Sequence, residues 1–259
     1  MFVAASTRCW PELELQAAIE LLQDLDFTAV EIALHETAPY GKPSEMLEDE
    51  DRAVQLLRHT HRLDISGYDV ELASTGEQHY ADFHGLCRIA KATRVVNVSV
   101  PSAEKGTPFN EEVEHLRRLV DIAEGEGVRV SVRCMLGCLS EDPDTLLVLC
   151  NNVDGLGVTL DPSVPMIAHS TTPQAARAWA NGKGFDDVLK FVCNVHLRDT
   201  KKDKFQVSVG QGEIDYGKLI TQLEREKYNR ALTVDMVPIE GHDHRVELRK
   251  LRRLLETLV

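Results

Sequence analysis

The sequence predicts an α/β fold, a single (β/α)8 TIM barrel over residues 1–259, and three observations lead to it. Short runs rich in β-branched residues alternate with amphipathic stretches from one end of the chain to the other. A length of 259 residues matches the usual size of such a barrel, about 250 residues. No change of composition and no Pro-, Gly- or Ser-rich linker divides the chain. An open, doubly wound sheet shares the alternation, but eight unbroken strand–helix units favour a closed barrel.

The predicted strands are short and apolar, as parallel strands are when both of their faces are covered. In chain order they are Phe2–Ala5, Ala29–Ala33, Leu63–Val70, Val95–Val100, Val128–Arg133, Gly157–Asp161, Phe191–Leu197 and Ala231–Asp235. We interpret them as nearly continuous apolar runs, and not as regular alternations of apolar and polar residues.

The predicted helices lie between these strands and carry one apolar stripe each. They include Leu13–Leu25, Glu45–His59, Asn110–Glu126 and Tyr216–Glu226, with Asp243–Leu258 as a closing helix. In the third of these, Val113, Leu116 and Val120 recur at the spacing of one helical face. Such a stripe predicts a helix that packs its apolar side onto the sheet.

The composition narrows the classes of partner. The chain has 42 acidic and 29 basic residues and a net charge of -13, so its average field repels a phosphate backbone and we expect no nucleic acid partner. No apolar run approaches the roughly 20 residues of a membrane-spanning helix, and the N-terminus does not resemble a signal peptide. Six scattered cysteines do not form a disulfide framework, so we expect a cytoplasmic protein.

Polar residues end most of the predicted strands, where a barrel builds its active site. They are Glu31, Asp69, Glu71, Asn97, Arg133, Asp161, His196 and Asp235. Carboxylates and a neutral imidazole that converge from different strands can hold a divalent cation, which stabilises an enediolate. The same groups can equally form a buried, salt-bridged plug, because buried polar groups are costly unless they are paired.

Two segments give the chain a family resemblance. Val192–Met236 has a strand ending in His-x-x-Asp, then Gly-x-Gly-Glu-Ile-Asp, a helix, and a strand ending in an acid. Gly155–Ser163 has a strand closed by an Asp, and AVEI around Glu31 is a third, weaker match. In these features the chain resembles the xylose-isomerase-like barrel family of sugar isomerases and epimerases.

The resemblance implies a divalent metal held by Asp161, His196 and Asp235. A fourth ligand, a Glu in metal-dependent members, falls on Arg133, which cannot bind a metal and repels a cation. The family often has a His where Val164 stands, and Asp235 is one methylene shorter than the usual Glu. We therefore expect either no cofactor or a divalent metal (Mn, Mg or Zn), with Arg133 paired to Asp161 or Asp235.

The leading hypothesis for function is an isomerase, epimerase or related lyase of small carbohydrates that acts through an enediolate. Arg133 would replace the metal as the electrophile. Asp235, or Glu31 across the barrel, would act as the base. His196 would be a donor or acid, with Asp199 or Asp161 fixing its tautomer.

Four further residues are expected to contact a substrate. Trp10 follows the first strand and could wall the pocket with its ring. Asp199 and Lys202 follow the seventh strand, and the loop that contains Lys202 could meet an anionic group. Glu213 lies in the Gly-rich turn after that loop.

The alternative hypothesis is a barrel that kept the fold and lost the chemistry. Such a protein would bind a sugar-like ligand without turnover, with Arg133, Asp161 and Asp235 as a structural ion pair. A repair nuclease of the same barrel lineage is rejected, because it needs a His-rich metal cluster and a basic face. The sequence favours an enzyme over a binding protein and leaves homo-oligomerisation open.

Overall fold

The computed structural model of the protein describes residues 1–60, 62–168 and 184–259. Eight parallel strands form a closed barrel in the order of the sequence, with β8 hydrogen-bonded to β1. They are β1 Phe2–Ser6, β2 Ala29–His35, β3 Asp64–Glu71, β4 Asn97–Pro101, β5 Arg129–Arg133, β6 Gly157–Leu160, β7 Val192–Leu197 and β8 Ala231–Val234. The predicted (β/α)8 barrel is confirmed, and each predicted strand lies within two residues of the observed bounds.

The helices of the described ranges surround the strands. They are α1 Leu15–Asp24, α2 Pro43–Glu48, α3 Glu50–Arg58, α4 Gly76–Ala92, α5 Phe109–Gly125, α6 Pro143–Asn152, α7 Ser163–Ala168, α8 Tyr216–Arg225 and α9 His244–Glu256. The predicted helix Glu45–His59 is divided in two at Asp49. Asp49 has a non-helical backbone and its carboxylate accepts from the Arg52 amide, so it caps a new helix instead of continuing the first.

The apolar core lies between the strands and the helices. Valine and leucine side chains of the strands, such as Val98 and Val130, join helix residues such as Leu116 and Leu119 in one buried cluster. Within the described part of the chain, no helix is long and apolar enough to cross a membrane. All six cysteines are buried free thiols.

The interior of the barrel is polar, which differs from the sequence-based interpretation of continuous apolar runs. Ser99 on β4 lies 2.5 Å from the hydroxyl of Thr159 on β6, and Ser131 on β5 lies 2.8 Å from Thr159. Because β4 and β6 are not adjacent, these side chains must point into the barrel. Strand segments such as Val130-Ser131-Val132 therefore alternate, with valines toward the helices and hydroxyls inward. Their inward residues are small enough to be overlooked in an apolar run.

This polar interior continues toward the carboxyl ends of the strands. Thr233 on β8 donates to the Asn194 side chain on β7 at 2.9 Å, and Asn194 donates across the barrel to Glu31 on β2 at 2.6 Å. A layer of hydroxyl and amide groups thus supports the charged groups above it.

Candidate active site

A cavity of about 320 Å³ opens at the carboxyl ends of the strands, where the sequence placed the site. Its lining consists of Arg8, His35, Glu71, Arg133, Cys134, Met135, Leu136, Asp161, Val164, His196, Arg198, Phe205 and Asp235. A larger cavity of about 660 Å³ lies at the opposite end of the barrel, beside Gly127, Leu156 and Lys190. Its charged wall residues, such as Arg129 and Lys190, are exposed. The buried strand-end charges converge on the smaller cavity, which is therefore the candidate active site.

Arg198 lies between two of the predicted metal ligands. One of its terminal nitrogens, Nη2, donates to Asp161 Oδ2 at 2.9 Å and to Asp235 Oδ2 at 2.6 Å. The guanidinium also stacks over the Phe205 ring, 4.5 Å from its centroid. Arg198 follows β7 two residues after His196, so both side chains point to the same side of the chain. A fixed positive charge thus occupies the space between the two carboxylates.

His196 lies against Glu31 below this pair. His196 Nε2 donates to Glu31 Oε2 at 2.7 Å, and its Nδ1 lies 3.7 Å from Asp235 Oδ2. Burial by itself lowers the pKa of His196, but the charge of Glu31 and its hydrogen bond, helped by Asp235, raise it above its usual value. The two carboxylates therefore shift the imidazole toward its protonated form. Glu31 is fully buried, and its two oxygens are used by Asn194 and His196.

Asp235 is a carboxylate that stays charged. Burial would raise its pKa, but Arg8, Arg198 and His196 together bring the pKa well below its usual value. Its second oxygen, Oδ1, accepts no hydrogen bond from the described residues, and Arg8 Nε lies 3.7 Å away. Asp235 thus lies beside two guanidiniums, and one of its carboxylate oxygens accepts no hydrogen bond from the described residues.

Arg133 forms its ion pairs on the other side of the cavity. Its Nη1 donates to Asp69 Oδ1, and its Nη2 lies 3.4 Å from Glu71 Oε2. The Arg8 Nη1 donates to the other oxygen of Asp69 at 3.1 Å. Burial would raise the pKa of Asp69, but Arg133, His35 and Arg8 bring it well below its usual value. The expected pairing of Arg133 with Asp161 or Asp235 is thus wrong, since β3 supplies its partners.

The predicted metal ligands do converge, but their arrangement does not fit a divalent cation. Arg198 occupies the position between Asp161 and Asp235, and Glu31 already holds the Nε2 of His196. Within residues 1–60, 62–168 and 184–259, no group of three or more His, Cys, Asp or Glu side chains is arranged to hold a metal ion. The donor set as folded instead surrounds a guanidinium.

The residues expected to bind substrate lie outside the cavity lining. Trp10 packs edge-on against His244, with ring centroids 4.6 Å apart. Asp199 Oδ2 accepts from the backbone amides of Gly210 at 2.7 Å and Gly212 at 3.0 Å, so it shapes the Gly-rich turn. The hydrogen bond that fixes the His196 ring comes from Glu31 instead. Lys202 and Glu213 are exposed on the loops that follow β7. Their substrate contacts stay predictions.

Three ionisable residues of the site were missed from the sequence: Arg8, His35 and Arg198. Two of them follow a recognised inward residue at a spacing of two or four along the chain, as Arg198 follows His196 and His35 follows Glu31. Because side chains alternate along a strand, extending that spacing past the predicted strand end would have found these two. Arg8 follows the first strand, on which the sequence indicated no inward polar residue.

Comparison with protein families places this site in context. The chain matches the family model described as a xylose isomerase-like TIM barrel over residues 19–256. A search of curated protein sequences gives no significant match.

Solved structures with the same barrel are numerous. A D-psicose 3-epimerase with D-tagatose from Clostridium cellulolyticum H10 is 15% identical, with a TM-score of 0.75 and coverage of 100% of this chain and 99% of that one. The probable 3-DHS dehydratase AsbF from Bacillus anthracis is 13% identical, with a TM-score of 0.72 and 99% coverage of both chains. The IolI protein with a binding zinc atom is 19% identical, with a TM-score of 0.63 and coverage of 100% and 95%. At such identities the likeness establishes the fold, and the activity has to be argued from the site.

Proposed function

Because the chain belongs to the xylose isomerase-like TIM barrel family, we propose that it is a sugar isomerase or epimerase in which a guanidinium takes the place of a divalent metal. The substrate is a small polyhydroxylated ketone or aldehyde that enters the cavity at the carboxyl ends of the strands. The reaction moves a proton at the carbon next to the carbonyl and passes through an enediolate.

The position of Arg198 carries this proposal. Its Nη2 lies 2.9 Å from Asp161 and 2.6 Å from Asp235, at the point where the predicted metal ligands converge. A guanidinium keeps its charge at every accessible pH, and it donates several hydrogen bonds in a fixed plane. It can therefore stabilise a developing enediolate oxygen by charge-assisted hydrogen bonds.

Arg133 provides a second cation on the same cavity. It is buried and lines the wall beside Glu71. Arg133 acts as an electrophile, as the sequence predicted. Arg198 is a second electrophile, and it lies between two of the predicted metal ligands. Two guanidiniums can hold the two oxygens of an enediolate, one from each side.

Asp235 is proposed as a base because it lines the cavity and its Oδ1 accepts no hydrogen bond from the described residues. The low pKa of this carboxyl makes it a weak base, so most of the activation must come from the cations that stabilise the enediolate. His196 and Glu31 act behind it. Glu31 fixes the ring of His196, and the Nδ1 of that ring lies 3.7 Å from Asp235 Oδ2.

The proposal is tested by exchange of solvent deuterium into ketoses. The protein is treated with a chelator and incubated in D₂O with D-psicose, D-tagatose and D-fructose, sugars named with its structural neighbours. We expect deuterium at the carbon next to the carbonyl of at least one of these sugars, detected by NMR. Exchange that disappears with the chelator and returns with Mn²⁺, Mg²⁺ or Zn²⁺ would overturn the metal-free mechanism and keep the isomerase.

The second candidate is a protein that binds sugars without turnover. It is favoured by one observation, namely that Arg8, Arg133 and Arg198 are all engaged with carboxylates in the folded protein. A fully paired network of this kind is also a stable structural plug. Calorimetric binding of a ketose with no deuterium in the recovered sugar would identify this case.

A further inference from the structure

We propose that the cavity at the amino ends of the strands binds a phosphomonoester of nucleotide size, and that Arg129 and Lys190 hold its phosphate. This site is separate from the candidate active site, which opens at the carboxyl ends of the same strands. The two cavities share no lining residue, so the inference does not depend on the proposed function.

The cavity lies across the amino ends of the second half of the barrel. Its lining combines the first residues of β5, β6 and β7 with the turn that precedes β8. Its volume of about 660 Å³ lies within the usual range of small-molecule sites, about 300–1,000 Å³, and far exceeds that of one phosphate ion. Apolar residues such as Leu156 and Phe191 form part of the wall. The size and this wall favour a ligand with an organic body.

Four basic residues from separate segments line this cavity. They are Arg129 on β5, Lys190 before β7, and Lys227 and Arg230 before β8. None of the four forms an ion pair with a carboxylate of residues 1–60, 62–168 or 184–259. The chain has 42 acidic and 29 basic residues, so a basic side chain has many possible partners. A group of unpaired cations around one cavity therefore points to an anion that binds there.

Uncharged groups hold two of these cations at the cavity wall. Arg129 Nη1 lies 3.7 Å from the Sγ of Cys193, a residue that is 5% exposed. Lys190 Nζ lies 4.9 Å from the centroid of the Phe191 ring. A thiol and an aromatic ring orient a cation without neutralising it, so both side chains keep their charge and most of their N–H donors for a ligand. A guanidinium can hold two phosphate oxygens in parallel, and an ammonium adds a second positive charge for a dianion.

The charge of the cavity wall differs from that of the whole chain. Three carboxylates, those of Glu124, Asp154 and Glu226, face the four basic residues around this cavity, whereas acidic residues outnumber basic ones in the sequence. The three acids are exposed and belong to the ends of the outer helices, whereas Arg129 lies on a strand. This difference favours an anion over a cation and predicts an affinity that falls as the salt concentration rises.

The test is calorimetric titration of the whole protein with AMP, and with adenosine and inorganic phosphate as the two parts of that probe. We expect AMP to bind at least about 10-fold more tightly than adenosine, since one charge-assisted hydrogen bond is worth about that factor. Phosphate should compete with AMP and bind more weakly than AMP does. Raising the salt concentration from about 50 to 500 mM should weaken the binding of AMP and leave that of adenosine unchanged.

The variants Arg129→Gln and Lys190→Gln should each weaken the binding of AMP at least about 10-fold. Both side chains are exposed, so the Tm should stay within about 2 °C of the native value. Glu226→Gln removes an acid from the wall and should tighten the binding of AMP a few-fold. The matched control is Arg245→Gln on α9, because Arg245 is exposed and lies outside both cavities, and it should leave the affinity unchanged.

Three results would overturn the proposal. The first is no binding of AMP, or AMP that binds no more tightly than phosphate, which would leave at most a site for an inorganic anion. The second is adenosine that binds as tightly as AMP, since the phosphate then contributes nothing. The third is native affinity for AMP in both Arg129→Gln and Lys190→Gln, which would place the binding elsewhere. None of these results bears on the proposed isomerase, whose cavity lies at the other end of the barrel.

Discussion

Replacement of Arg198 by Met tests whether this guanidinium occupies a cation position. The variant removes a buried positive charge from between Asp161 and Asp235. These two buried carboxylates then lack the ion pair with Arg198. At 2.6 and 2.9 Å and an effective dielectric constant of about 20, each ion pair represents roughly 6 kcal/mol of attraction before desolvation. Desolvation offsets much of this, and removal of one partner from a buried pair typically costs about 3–5 kcal/mol.

The assay is thermal unfolding in metal-free buffer, followed by the same measurement with Mn²⁺ or Zn²⁺. For a chain of this size we expect Arg198→Met to lower the Tm by roughly 10 °C. With the guanidinium gone, Asp161, Asp235 and the Nδ1 of His196 become available to a metal, because Glu31 already holds the other ring nitrogen. A metal at about 100 times its Kd stabilises the folded state by about 2.7 kcal/mol and should restore most of the lost Tm.

The matched control is Arg252→Met on the closing helix. Arg252 is also mostly buried and pairs with Asp26 and Glu256, but it lies outside the cavity lining. This variant should lose stability and regain none of it with metal. Equal metal rescue of the two variants, stoichiometric metal in the native protein, or an unchanged Tm for Arg198→Met would refute the role given to Arg198.

Three further outcomes are expected. Burial, with a contribution from His79, lowers the pKa of His115 to about 4, so the unfolded state binds a proton at this residue between about pH 6.5 and 4 and the folded state does not. The free energy of unfolding should therefore decrease as the pH is lowered through this window, by about 1 kcal/mol at this half-buried site. In urea titrations, His115→Gln should show a smaller decrease. A Cβ at Gly212 would lie 1.7 Å from Asp199 Oδ1, so Gly212→Ala should lose about 1–3 kcal/mol in the same assay, whereas Gly217→Ala has room and should not. Burial raises the pKa of the Cys134 thiol to about 12, and all six thiols are buried, so iodoacetamide should label them only after unfolding, as counted by mass spectrometry.

Much of the site could be predicted from the sequence, because position on a strand is a local property. Asp161, His196 and Asp235 were expected together since each follows an apolar run at the carboxyl end of a parallel strand, and all three line one cavity. Val192–Met236 indicated the family, which the match over residues 19–256 confirms. The alternation of strands and helices indicated parallel strands, which need a crossover between them, and the eight unbroken units favoured the closed barrel.

The tertiary structure decided which charges are paired. Arg133 was expected to pair with Asp161 or Asp235 and instead contacts Asp69, while Arg198 takes the two aspartates. Alternation along a strand tells which side chains point inward, but their depth in the barrel depends on the stagger of eight strands. Among several inward acids and guanidiniums, small differences in depth and reach select the partners. The sequence by itself therefore determined the fold and the set of charged groups, and only the closed barrel determined that a guanidinium lies where a metal was expected.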